Sequence, residues 1–86
     1  MISKLRNLGK NSQEMLAAAG ITSERQLQTK GAAVAFVAVK RAGCNPSLNL
    51  LWAIEGALTG RDWKEVAKND RLSLLTQVEI LEKEQM

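Results

Sequence analysis

Two pentapeptides in this chain share a layout that suits anion binding. Residues 5–9 read Leu5-Arg6-Asn7-Leu8-Gly9, and 22 positions later residues 27–31 read Leu27-Gln28-Thr29-Lys30-Gly31. In each, a Leu stands four residues ahead of a Gly, and a stretch rich in small helix-forming residues follows. The first stretch runs to Gly20 and the second to Gly43. A glycine directly before a helix leaves the first backbone N–H groups without internal partners, where an anion can dock. Two such turns in one short chain point to a module that grips phosphates, with a nucleic acid backbone as the expected source. Gly9, Lys10 and Asn11 at the first turn, and Lys30, Gly31 and Ala32 at the second, are the candidate DNA phosphate-binding residues. The glycines supply close approach, and Lys10 and Lys30 supply charge. The competing reading is that these glycines only make tight interhelical turns in a domain that binds protein.

The charge distribution favours the same half of the chain. The net charge of +3 divides unevenly. Residues 1–43 carry seven basic side chains against two acidic ones, whereas residues 44–86 carry five against seven. Lys4, Arg6, Lys40 and Arg41 are therefore expected to add long-range attraction around the two turns. No segment presents a row of Arg, Asn and Gln suited to base edges, so sequence-specific readout is not expected.

Other chemistries find little support. The chain has no His and no Tyr, and no nucleophile stands beside a plausible base. Cys44 is the only cysteine, so an intrachain disulfide is impossible and neither a metal site nor a cofactor is expected. The longest apolar run, 31–39, falls far short of the ~20 residues that span a bilayer. No hydrophobic signal core follows Lys4 and Arg6, so no membrane contact and a cytoplasmic location are expected. Trp52 and Trp63 can serve as base-stacking platforms, but Trp at helical spacing among leucines reads more simply as core. Glu55, on an apolar helix, is expected to reach the rim and pair with Lys40 or Arg41.

The residues that position the turns read as helices throughout. No window shows sustained period-two alternation, and only three aromatic residues, Phe36, Trp52 and Trp63, are available to the core. The pattern predicts an all-α, compact five- to six-helix domain over 1–86, with a basic doubled-hairpin half and a supporting helical half. A short helix is expected over 2–7, and a second to about residue 19, capped by Asn11 or Ser12 and stopped by Gly20. Thr22, with a Ser23/Gln26 capping-box spacing, opens a short helix ending near Thr29. The helix over 32–42 is apolar on nearly every side and should be central. Asn45-Pro46-Ser47 opens the next, which runs to Thr59 and is stopped by Gly60. Asp62 caps a one-turn helix, and Asp70 caps a last one whose Leu72, Leu75, Val78 and Leu81 form an apolar stripe.

The segment 5–21 resembles a helix-hairpin-helix motif. The resemblance implies that Leu8 plugs the core between two helices while the flanking amides hold a DNA phosphate. Asn7 replaces the first glycine of that motif, and in the second copy Thr29 and Lys30 replace the first glycine and the plug. Over positions 5 to about 76 the chain resembles the C-terminal domain of the TfoX/Sxy family of bacterial competence regulators. The residues that carry this are Leu8-Gly9, Met15-Leu16-Ala17-Ala18-Ala19-Gly20-Ile21-Thr22-Ser23, Leu27, Gly31-Ala32, the stretch Pro46-Ser47-Leu48-Asn49-Leu50-Leu51-Trp52-Ala53-Ile54-Glu55-Gly56-Ala57-Leu58-Thr59-Gly60, and Trp63. The resemblance implies a role in activating DNA-uptake genes, with a transcription factor such as the cyclic-AMP receptor protein as partner. Full-length members usually carry an α/β domain ahead of this one, so the chain is a stand-alone member or a fragment.

The function expected from these observations is a non-enzymatic regulatory domain that binds DNA backbone weakly. The alternative is a protein-interaction module, or a homodimer, built on the stripe of the last helix.

Overall fold

The computed structural model describes residues 8–84. Five helices follow one another: α1 (Lys10–Ala18), α2 (Glu24–Arg41), α3 (Leu48–Thr59), α4 (Trp63–Asn69) and α5 (Arg71–Glu84). No strand occurs among the described residues, and the domain is all-α as the patterning predicts. The helix expected over 2–7, with Lys4 and Arg6, lies outside the described residues.

Local chemistry sets most of the boundaries. Gly20 takes φ +82° after α1. Its N–H donates to the Ala17 carbonyl at 2.9 Å, and the Ile21 N–H reaches back to the Leu16 carbonyl at 2.8 Å. That pair of bonds closes the helix end, and the apolar contact that accompanies it joins Leu16 to Ile21, both fully buried. Ser23 is the N-cap of α2 in place of Thr22. Its Oγ accepts from the Gln26 N–H while Gln26 Oε1 accepts from the Ser23 and Thr22 N–H groups. This is the reciprocal capping box that the spacing predicts. Gly60 ends α3 in the left-handed region, and the Asp62 carboxylate caps α4 by accepting from the Lys64 N–H at 2.9 Å.

Three starts differ from expectation. α1 is capped by Gly9, which leaves Asn11 and Ser12 inside its first turn. α3 begins at Leu48 with Ser47 as N-cap, so Asn45 and Pro46 lie ahead of it in the loop. Asp70 stands directly ahead of α5, but its carboxylate accepts from Arg61 at both oxygens rather than from the amides of α5.

The largest difference is at Gly31. Two helices joined by a hairpin turn are expected there. Instead 24–30 and 32–41 run on from each other across a single non-helical residue, Gly31, at φ +80° and ψ 168°. Only glycine enters that region freely. The two expected helix-hairpin-helix units are thus not what the described residues display. The first would need residues 2–7, and the second is a one-residue break.

The core is aliphatic. α3 packs on α4 and α2, and α2 on α5, with α1 laid on α2. Leu16, Ile21, Leu27, Val39, Leu51, Ile54 and Val66 are the largest fully enclosed side chains. Each such aliphatic group contributes roughly 1.5–3 kcal/mol of transfer free energy. The α2 residues 32–41 are central as expected, with Ala32, Ala33, Ala35, Phe36, Val37 and Val39 buried. On α5 the buried face is Leu74 and Val78, flanked by the half-buried Leu75 and Leu81. Leu72, assigned to the stripe from its spacing, is 80% exposed. Leu74 and Val78, four residues apart, share the buried face of α5, and Leu72 falls outside it.

Candidate nucleic-acid interface

The first candidate turn is open. Leu8 is buried and fastens the chain ahead of α1, in the place the resemblance gives to the hairpin plug. Gly9 has extended backbone, φ −105° and ψ −168°, and no side chain hydrogen-bonds across the start of the helix. The first bond of the turn runs from the Gln13 N–H to the Gly9 carbonyl at 3.0 Å. The amides of residues 10–12 precede it and are the donors that every α-helix leaves over. Gly9, Lys10 and Asn11 are exposed, and Ser12 is half-buried. A Cβ on Gly9 would meet nothing within 4 Å. Gly9 is therefore not required by its dihedrals, and what it offers is an unobstructed backbone.

The second turn is closed further. Lys30 is exposed and Gly31 half-buried, but Ala32 is only 4% exposed and belongs to the core. Its placement against the interior leaves Lys30 as the accessible part of the triplet. Arg25, not singled out in the sequence, lines a shallow cavity with Gln26, Thr29 and Lys30. Arg25 and Thr29, at i and i+4, share one helix face, which is the signal that would have found it. Lys10, Arg25 and Lys30 form no ion pair with another described residue.

Lys40 and Arg41 are engaged elsewhere. Lys40 Nζ meets Glu82 Oε1 at 2.6 Å and lies 5.8 Å from the centroid of the Phe36 ring. Arg41 Nη2 donates to the Leu81 carbonyl at 3.3 Å, near the C-terminal end of α5. Both cations tie α2 to α5. Glu55 is at the rim as expected, but its partner is Arg61, 4.0 Å away, rather than Lys40 or Arg41. The hydrogen bond from Arg61 holds the Asp70 carboxyl below its usual range.

The two tryptophans part company. Trp52 is enclosed in the core. Trp63, at the start of α4, is half-buried and walls a cavity of about 350 Å³ together with Met15, Leu50 and Ala53. Ser12, Ser47 and Asn49 give that cavity its polar side. Three elements meet there: α1, the start of α3 and the start of α4. Lys64 Nζ stands over the Trp63 ring, 5.8 Å from its centroid. No helix among the described residues is long and apolar enough to cross a membrane.

The TfoX C-terminal domain family has a model that matches residues 1–78, and the chain belongs to that family. The membership associates it with competence, in a family of regulatory type rather than a known enzyme family. No curated protein and no solved structure matched the chain.

Proposed function

We propose that this domain acts in a cytoplasmic competence regulator as a non-catalytic module that holds DNA backbone weakly and without reading sequence. The observation that supports this reading is the open start of α1. An extended, exposed glycine leads directly into exposed Lys10 and Asn11, with no side-chain cap. Backbone amides, a helix dipole and an unpaired cation converge there, as phosphate recognition requires. Lys30 and Arg25 extend the positive surface along α2. Because Ala32 is committed to the core, the grip is narrower than the six candidate residues, and Lys40 and Arg41, committed to α5, add little to it; about two to four phosphates should be held. The test is DNA binding titrated with salt, where the log–log slope should lie at roughly −2 to −4. A flat response overturns the reading. Gly9→Glu should abolish binding in the same assay without unfolding the domain, since its backbone suits any residue and its Cβ has room.

A second reading, docking of a protein partner, draws on an apolar surface that borders the second turn at Lys30 and Gly31. Val34 and Ile80 are exposed, 38% and 51%, and border a cavity of about 270 Å³ between α2 and α5. Docking of this kind would be lost in Ile80→Asp and would not depend on salt.

A further inference from the structure

We infer that the nucleic acid held at the start of α1 is single-stranded, and that one unpaired base enters the cavity walled by Trp63. The inference rests on the phosphate reading above, because it takes Lys10 and Asn11 as the backbone grip.

A base presents two kinds of surface, a flat π face and an edge of donors and acceptors. The cavity offers a partner for each. Trp63 and Met15 supply polarizable apolar area, and Ser12, Ser47 and Asn49 supply hydroxyl and amide groups that both donate and accept. These three polar side chains are uncommitted. Ser47 caps α3 without a side-chain hydrogen bond, and neither Ser12 nor Asn49 bonds to another described residue. The volume of about 350 Å³ falls within the range of small-ligand pockets, roughly 300–1,000 Å³.

Position links the cavity to the grip. Ser12 lies in the first turn of α1, the turn whose free amides form the grip, so the cavity adjoins the helix start on which the phosphate would rest. Lys64, over the Trp63 ring, adds a cation next to the stack. A duplex cannot use this arrangement, because its bases are stacked on both faces and paired along the edge that Asn49 would meet.

The experiment compares a labelled single strand with a duplex of matched phosphate count, each titrated by fluorescence anisotropy at several salt concentrations. The single strand should bind roughly tenfold more tightly. Trp63→Leu should bring single-strand affinity down to the duplex value. Trp63 also packs on the core, so Asn49→Leu, at an exposed position, is the second variant and should narrow the preference. Leu72→Ala, at an exposed side chain that lines neither feature, should keep it. Equal affinity for the two forms, with the salt slope retained, overturns the base cavity and leaves the phosphate grip standing. Absence of binding to either form overturns both.

Discussion

Lys40 Nζ lies 2.6 Å from Glu82 Oε1, which pins the last turn of α2 to the last turn of α5. In the sequence Lys40 reads as one more cation of a basic half. In the fold its charge is answered by an acid 42 positions away. Lys40→Met should leave DNA affinity within about twofold. It should cost about 0–1 kcal/mol of stability, the usual range for an exposed pair. Anisotropy titration and thermal melting, run side by side, check both.

The buried face of α5 makes a paired prediction. Leu74→Ala removes a side chain enclosed in the core and should destabilise by about 2–5 kcal/mol. Leu72→Ala should stay within about 0.5 kcal/mol, because that side chain is in solvent. Denaturant melts of the two variants decide which leucine belongs to the core, and equal losses would contradict the assignment.

Gly31 and Gly60 differ in what they demand. At Gly31 the backbone sits at φ +80°, ψ 168°, a region closed to other residues, whereas Gly60 is at φ +71°, ψ 26°, where an alanine is strained but tolerated. Neither Cβ would meet an atom within 4 Å, so the whole cost is backbone strain. Gly31→Ala should therefore cost about 1–3 kcal/mol and exceed the loss from Gly60→Ala. Thermal melts of the two variants rank them.

Arg61 and Asp70 give the domain an acid-side dependence. The guanidinium hydrogen bond lowers the folded carboxyl pKa below its unfolded value. The pair's contribution is complete above about pH 4 and is lost as pH falls through the lower folded value. Melting temperature should accordingly drop below about pH 4 in the natural chain. Asp70→Asn should start lower at neutral pH and show a shallower acid drop.

Much of the fold is legible in the sequence because helix punctuation is local. The Ser23/Gln26 box, the Asp62 cap and the stops at Gly20 and Gly60 each depend on atoms within a few residues, and all four are where the spacing puts them. What is not legible is decided between elements. Leu72 and Leu74 are alike until the packing of the helices covers one of them. Asp70 reads as a cap until Arg61, nine positions away, claims its carboxylate. Ala32 reads as part of a surface turn until the break at Gly31 tips it into the interior. The Trp63 cavity is assembled from three helices, so no single stretch announces it.

The central claim is that phosphates rest on the start of α1 beside Lys10 and along α2 beside Lys30. It is tested most directly by the salt dependence of DNA affinity in the natural chain and in Lys10→Glu/Lys30→Glu. Each lost contact should flatten the log–log slope by about 0.9, so the double variant should lose about 1.8 units of slope with its melting curve unchanged. A slope identical in the two proteins would contradict the claim.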